Sequence, residues 1–305
     1  MTSGGVVLAG GRSSRMGTPK AALEWHGSTL LRRTVGILAR ATGGPVVVVR
    51  ASGQDLPDLP AGTVVVDDPR EGKGPVQGIA AGLAVLRGRA ETAFVTSTDL
   101  PFLHPAFVSR VLSALDAPRA CPRDGPDVAL PVARGYQQPL AAAYRTSLAE
   151  LAERLVAQDR LRPAFLFAEC SVTRLDDAVL LADPVLAASD PDLDSLLNVN
   201  TLDDYQAARR RPAPEVTVQL FGTLINVGRP AGPRAVRAAT VGAAAITVGL
   251  PFGRNVTATL NSDQINDGQI KQGPIKQGPI NQGLITRDPS VPLAAGDTVF
   301  FTPAP

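Results

Sequence analysis

The first twenty residues contain the chain's densest chemistry. Val6-Val7-Leu8-Ala9-Gly10-Gly11-Arg12-Ser13-Ser14-Arg15-Met16-Gly17-Thr18-Pro19-Lys20 runs from an apolar strand into paired glycines and then into three cations. That combination suits a triphosphate. Glycines without β-carbons let backbone N–H groups close on phosphate oxygens. Arg12, Arg15 and Lys20 add positive charge, the arginines as bidentate forks and the lysine as a point charge. The passage is neither a Walker loop nor a dinucleotide fingerprint, because the glycine and lysine spacing of both is absent.

Carboxylates and amides follow at intervals. Asp99, in Ser97-Thr98-Asp99-Leu100-Pro101, comes directly after an apolar run, so its side chain is expected at the end of a strand. A Mg²⁺ ion takes one or two carboxylates together with phosphates and waters, and one such Asp is enough. A plain turn or N-cap role for Asp99 is the competing reading. Asp67 and Asp68 follow the run Val64 to Val66, and Asp68-Pro69 is also a good turn former. Gln138-Pro139 and Asn198-Val199-Asn200-Thr201 supply amides, which bind polar edges or phosphates without adding negative charge. His26 and His104 have no neighbours that would make either a general base, and no Ser-His-Asp order can be built.

The opening passage resembles the signature Leu-Ala-Gly-Gly-x-Ser-x-Arg-Met-Gly-x-x-Lys of the molybdenum cofactor guanylyltransferases, nucleotidyltransferases with a GT-A-like fold. The resemblance covers residues 1 to about 210. It implies that Leu8, Ala9, Gly10 and Gly11 surround the nucleotide, with Arg15 on the outer phosphates and Lys20 near the α-phosphate. It further implies that Asp67 and Gly78 contact the nucleotide, that Asp99 holds Mg²⁺, and that Gln138, Asn198 and Asn200 line the acceptor side. Two departures stand out. The family's Cys-Asp-x-Pro is here Thr98-Asp99-Leu100-Pro101, and Gln77 occupies a place usually taken by a small residue.

The implied reaction moves GMP from GTP to the terminal phosphate of a molybdopterin-type cofactor and releases pyrophosphate. Leu8-Ala9-Gly10-Gly11 favours guanine, whereas Pro19-Lys20 is commoner in a related branch that uses CTP. A cytidylyltransferase, or a nucleotidyltransferase for another phosphorylated acceptor, therefore remains open, as does a scaffold role in cofactor assembly.

Positioning these groups requires a layered α/β frame. Val6 to Ala9, Val46 to Val49, Val64 to Val66 and Ala93 to Thr96 read as strands buried on both faces. Helical spacing over Thr29 to Ala41, Val76 to Leu86 and Pro105 to Leu115 falls between them. Strands separated by helices predict a Rossmann-like, mainly parallel sheet sandwiched by helices, with ligands at the carboxyl ends of the strands. Val128 to Val132 and Leu140 to Tyr144 read as two further strands around a loop holding Gln137 and Gln138. Helices are expected over Ser147 to Val156 and Asp203 to Arg210, the second capped by Thr201.

Arg211-Pro212-Ala213-Pro214 reads as a linker between a nucleotidyltransferase domain at 1–210 and a smaller domain at 215–305. The smaller domain shows strands at Val216 to Leu220, Val256 to Leu260 and Thr298 to Thr302, and a helix over Ala238 to Val248. This order resembles the ubiquitin-like sulfur carriers of molybdopterin and thiamine synthesis, which implies an α+β, β-grasp-like fold. Those carriers act through a terminal Gly-Gly. Thr302-Pro303-Ala304-Pro305 is not expected to run that chemistry. A five-residue period runs three times over Gln269 to Gly283, as Gln-Ile-Lys-Gln-Gly, Pro-Ile-Lys-Gln-Gly and Pro-Ile-Asn-Gln-Gly, and marks an inserted loop at 264–284, since regular Gly and Pro oppose a helix or a central strand.

Composition narrows the classes. A net charge of +2 over 305 residues makes no electrostatic case for nucleic acid. The run Arg209-Arg210-Arg211 reads as a solvated helix end. Two cysteines, Cys121 and Cys170, with no histidine cluster argue against structural zinc, and a reduced pair is expected. No apolar stretch reaches the length of a membrane span and no leader is apparent, so a cytoplasmic location is expected.

Overall fold

The computed structural model describes residues 2–10, 19–68, 74–116, 125–225, 232–261, 265–266, 269–270 and 283–304. Gly11, Arg12, Arg15, Cys121 and most of the five-residue repeat lie outside these residues. The chain divides into two compact units, Met1–Leu23 with Thr29–Ala208, and Glu24–Ser28 with Arg209–Pro305.

In chain order the first part of the molecule contains β1 (Ser3–Leu8), β2 (Glu24–Trp25), β3 (Ser28–Thr29), α1 (Leu30–Thr42), β4 (Val46–Arg50), β5 (Val64–Asp67), α2 (Pro75–Leu86) and β6 (Thr92–Ser97). There follow α3 (Pro105–Ser113), β7 (Val128–Ala133), β8 (Tyr136–Gln137), β9 (Ala141–Arg145), α4 (Ala149–Ala157) and α5 (Pro163–Phe167). The unit closes with β10 (Val172–Asp176), α6 (Asp177–Leu181), α7 (Pro184–Ser189) and α8 (Leu202–Arg210). A 3-10 turn, Lys20–Ala22, follows the opening loop.

The large sheet has the order β10-β7-β9-β6-β1-β4-β5, with β8 paired to β7. Strands β6, β1, β4 and β5 are parallel, and β10 is parallel to β7. β9 runs against both of its neighbours. The fold is thus mixed α/β with a mainly parallel sheet between helical layers. Alternate side chains feed two cores. Val7, Val48, Phe94 and Ala143 pack under α1 and α3, while Val6, Val47, Val95 and Tyr144 pack under α2 and α4.

Close approach of α2 to β1 depends on small residues. A Cβ on Gly78 would come within 2.9 Å of Leu8 Cδ2, and one on Gly82 would overlap the Val6 side chain. Local signals set the helix starts. The Thr29 hydroxyl accepts from Arg32 N at 3.2 Å to cap α1, and His104 Nδ1 accepts from Ala106 N at 3.1 Å to cap α3. His104 is thus a capping residue.

One strand departs from expectation. Val64 to Val66 is predicted to be buried on both faces, yet β5 is the edge strand and alternates between half-buried and exposed, leaving Val65 40% exposed. An edge strand has a neighbour on one side only, so its outer row is not covered. The structure also contains β10 and the short helices α5 to α7, for which no strong periodicity exists in the sequence.

The second unit contains β11 (Glu215–Leu220), β12 (Arg234–Arg237), α9 (Val241–Thr247), β13 (Val256–Leu260), β14 (Ile265–Asn266), β15 (Gln269–Ile270), β16 (Leu284–Thr286) and β17 (Thr298–Pro303). Its five-stranded sheet has the order β12-β11-β17-β13-β16. Only the β11–β17 pair is parallel. Val216, Val218, Leu220, Ala258 and Phe301 of this sheet pack with Val241, Ala244 and Ala245 of α9. The expected helix starts later than predicted, at Val241, because the Thr240 hydroxyl caps it by accepting from Ala243 N at 3.2 Å. Leu284, placed by sequence in the insert, belongs to β16, while β14 and β15 pair with each other.

One surface expectation changes. Arg209 is not simply solvated: its Nε donates to Glu24 Oε2 at 2.6 Å. Cys170 is free and half-buried, and burial pushes its thiol up to about 11, with nearby Asp127 adding to the effect. Among the described residues no helix is long and apolar enough to cross a membrane.

Candidate active site

Parallel strands β6, β1, β4 and β5 all end at one edge of the large sheet, and the candidate residues collect there. β1 delivers Leu8 to this edge. Ala9 N and Gly10 N then donate to Val49 O at 2.8 and 3.2 Å, which ties the exit of β1 to β4. These two hydrogen bonds fix where the chain leaves the sheet at Ala9 and Gly10. Gly10 passes close to the chain after β4, and a Cβ there would crowd Ala51 N at 3.0 Å.

Gln54 stitches the same loops. Its Nε2 donates to Ala9 O at 3.1 Å, and its Oε1 accepts from Ala51 N at 3.0 Å. Arg50 donates through NH1 to Gln54 O at 2.9 Å and through Nε to Asp67 Oδ1 at 2.7 Å. Asp67, expected at the nucleotide, is thus engaged in an ion pair whose carboxylate side chain is 49% exposed. Asp68 N donates to Arg50 O at 2.7 Å, which completes the turn. Gly78 lies in the first turns of α2 against Leu8.

The centre of the site is the end of β6. Asp99 follows Ser97, whose Oγ donates to Asp99 Oδ1. The other carboxylate oxygen, Oδ2, lies 3.8 Å from Lys20 Nζ, and the two side chains are only 20% and 18% exposed for Lys20 and Asp99. Lys20 Nζ also donates to Asn200 Oδ1 at 3.2 Å. The Asp99 carbonyl accepts from Val199 N at 2.9 Å, so the segment carrying Asn200 is hydrogen-bonded to the turn carrying Asp99. Buried Arg33 steadies that turn by donating from Nε to Pro101 O at 2.8 Å.

Asn200 is held from the other side by the start of α8. Asp204 Oδ2 accepts from Asn200 N at 3.1 Å and Thr201 N at 2.9 Å, while Thr201 Oγ1 accepts from Asp204 N at 3.1 Å. This is a reciprocal cap. The Thr201 side-chain hydrogen bond, then the Thr201 and Asn200 N–H groups, hold the Asp204 carboxyl below the usual carboxylate range, with Lys20 contributing charge.

Gln138 lies between β8 and β9, at the same sheet edge because Thr96 of β6 pairs with Ala141. Its backbone N donates to Pro131 O at 2.9 Å. Buried Tyr144 donates its hydroxyl to Pro139 O at 2.7 Å, pinning this turn. Asn198 is exposed and precedes buried Val199. The structure therefore brings together Lys20, Asp99 and Asn200, whereas Asp67 lies with Arg50 and Gly78 with Leu8.

The donor set suits a hard divalent cation that completes its shell with phosphate oxygens and water. Asp99 is a single carboxylate, fixed at one oxygen by Ser97 and facing Lys20 with the other. Among the described residues no three His, Cys, Asp or Glu side chains come together. Sequence reasoning missed Ser97, Gln54, Arg50 and Asp204. Only Asp204 had a usable signal, its place three residues after the capping Thr201.

Comparison with known proteins gives the family. Residues 5–172 match the family described as the MobA-like NTP transferase domain. The chain is 35% identical over 210 residues to a probable molybdenum cofactor guanylyltransferase of Mycobacterium avium (strain 104), covering 68% of this chain and 95% of that one. It is 27% identical over 211 residues to a protein of the same description from Bacillus cereus (strain Q1), again covering 68% and 95%. Among solved structures, molybdopterin-guanine dinucleotide biosynthesis protein A from Archaeoglobus fulgidus superposes with a TM-score of 0.51 at 23% identity. It covers 68% of this chain and 96% of its own, a likeness of fold.

Proposed function

Because this chain belongs to the family of the MobA-like NTP transferase domain, we propose that its first unit transfers GMP from GTP to the terminal phosphate of a molybdopterin-type cofactor. The observation that carries this reading is the convergence of Lys20, Asp99 and Asn200 at the carboxyl edge of the sheet. The protein is a nucleotidyltransferase, and its chemistry is a displacement at phosphorus. A phosphate oxygen of the acceptor bonds to the α-phosphorus of GTP, the bond from that phosphorus to the β-phosphate bridge breaks, and pyrophosphate leaves with the electron pair.

No covalent enzyme intermediate is needed, so positioning and charge neutralisation carry the catalysis. Lys20 presents its ammonium where negative charge builds on the α-phosphate. Asn200 holds that ammonium in place and offers its amide toward the acceptor. Asp99 is the residue that would hold Mg²⁺, which when bound supplies charge neutralisation for the phosphates. Gln138 and Asn198, on the same edge, extend the acceptor side. Arg15 and Gly11, the remaining parts of the phosphate loop, complete the assignment on resemblance alone.

The second unit is read as a β-grasp of the ubiquitin-like carrier type. With the five strands of its sheet numbered among themselves, the order is second-first-fifth-third-fourth with a helix between the second and third, and this order supports the reading.

The test is pyrophosphate release with Mg²⁺, comparing GTP and CTP with and without molybdenum cofactor. Release that needs both GTP and the cofactor is the expected result. Preference for CTP would move the protein to the cytidylyl branch. Nucleotide binding without release would overturn the acceptor or leave a scaffold role.

A further inference from the structure

The end of β6 carries a hydroxyl that the family resemblance does not assign. Ser97 is the last residue of β6, and its Oγ donates to Oδ1 of Asp99 two residues later. Asp99 is constrained at three points, two on its carboxylate and one on its main chain. Ser97 fixes Oδ1, Val199 N holds the Asp99 carbonyl at 2.9 Å, and Lys20 Nζ faces Oδ2 at 3.8 Å. A carboxylate on a turn normally rotates about its terminal bond, because that torsion is broad and roughly two-fold. The Ser97 hydrogen bond removes this freedom and leaves one oxygen aimed into the site.

We propose that Ser97 is a positioning residue that presents a single oxygen of Asp99 to a divalent cation bound with the nucleoside triphosphate. This rests on the nucleotidyltransferase reading of the site. Two features suit the role. Mg²⁺ demands near-ideal octahedral geometry and keeps several waters, so a monodentate carboxylate fits it better than a bidentate one. A hydroxyl donating to the second oxygen enforces monodentate binding. Partners that orient a metal ligand in this way change affinity by about 10–100-fold when removed. Thr98, where the related sequences have cysteine, is buried at 5% exposure, which leaves Ser97 as the neighbouring side chain bonded to the carboxylate.

The experiment is titration of Mn²⁺ into the full-length chain with GTP present, following free Mn²⁺ by electron paramagnetic resonance. It compares the unmodified protein with Ser97→Ala and Ser97→Thr, and it measures GTP binding separately in chelator. Ser97→Ala is expected to weaken Mn²⁺ binding about tenfold while metal-free GTP binding changes less than about twofold. Ser97→Thr keeps the hydroxyl and is expected to restore Mn²⁺ affinity. Equal Mn²⁺ affinity in Ser97→Ala and the unmodified protein overturns the role of Ser97 and leaves the transferase reading standing. Loss of metal-free GTP binding in Ser97→Ala, with no recovery in Ser97→Thr, assigns the residue to folding and also overturns it. Absence of GTP-dependent Mn²⁺ binding in the unmodified protein overturns the site reading itself, and this inference with it.

Discussion

Lys20 Nζ donates to Asn200 Oδ1 at 3.2 Å, joining residues 180 positions apart in the sequence. The contact links the segment at Lys20 to the start of α8, and Asp99 Oδ2 lies 3.8 Å from the same ammonium. The expected consequence is coupled loss of function. Lys20→Ala removes the cation proposed to face the α-phosphate and is expected to lower kcat about a hundredfold or more. Asn200→Ala removes one hydrogen bond to a charged group, so a loss of about tenfold is expected. The double variant should be little worse than Lys20→Ala, because Asn200 acts partly through Lys20. Steady-state kinetics on the three variants tests this, and strictly multiplicative losses would separate the two residues.

Gly78 makes a different prediction. Its place in α2 is set by contact with Leu8, where an added Cβ would sit 2.9 Å from Cδ2. Because that atom ends a flexible side chain, Gly78→Ala is expected to cost about 1–2 kcal/mol by overpacking. Gly82→Ala would overlap Val6, whose branched side chain has few rotamers to escape into, so a larger loss is expected. Thermal denaturation of both variants should rank Gly82→Ala as the less stable. A Gly78→Ala protein with unchanged melting but weakened GTP binding would instead return Gly78 to the nucleotide.

Much of this arrangement was readable from the residues, and the parts that were not share a cause. Val6 to Ala9, Val46 to Val49 and Ala93 to Thr96 are strands because continuous β-branched and apolar runs bounded by turn residues have few alternatives. The edge position of Val64 to Val66 was not legible, since burial on both faces depends on how many neighbours a strand acquires. Lys20 and Asp99 could be singled out because each follows a strand at a point where ligands bind. The tie of Lys20 to Asn200 could not, because nothing local encodes a contact across 180 residues. Asp67 shows the converse. Its type and place suggest a ligand, while its tie to Arg50 arises from the parallel pairing of β4 and β5, which sets Arg50 beside Asp67.

That tie can be tested. The Arg50–Asp67 pair is 2.7 Å long, with side chains 31% and 49% exposed. An exposed pair of this kind contributes about 0–1 kcal/mol, so neither Arg50→Ala nor Asp67→Ala is expected to change melting much. If Asp67 also contacts the nucleotide, Asp67→Ala is expected to weaken GTP binding about tenfold, the loss of one hydrogen bond to a charged group. Arg50→Ala should then leave it within about twofold. Calorimetric titration with GTP distinguishes the cases, and equal small effects would make Asp67 a brace for Arg50 alone.

The cap on α8 predicts an acid-dependent stability. A hydrogen bond from the Thr201 side chain, followed by the Thr201 and Asn200 N–H groups and the charge of Lys20, lowers the Asp204 carboxyl below its ordinary value. A carboxylate lowered in the folded state stabilises the fold at any pH above its unfolded value, about 4. That contribution falls as pH drops through the lowered folded value, where the native state must also take up the proton. Asp204→Asn should therefore melt below the unmodified protein between pH 5 and 7, by a margin that does not vary over that range. The margin should narrow as the pH is taken below about 4. Melting curves across this range provide the measurement. A margin that persists unchanged at low pH would mean that Asp204 acts through shape rather than charge. In the transferase assay the same variant is expected to lower kcat at neutral pH, because the Asn200 N–H it leaves weakly held belongs to the residue that holds Lys20.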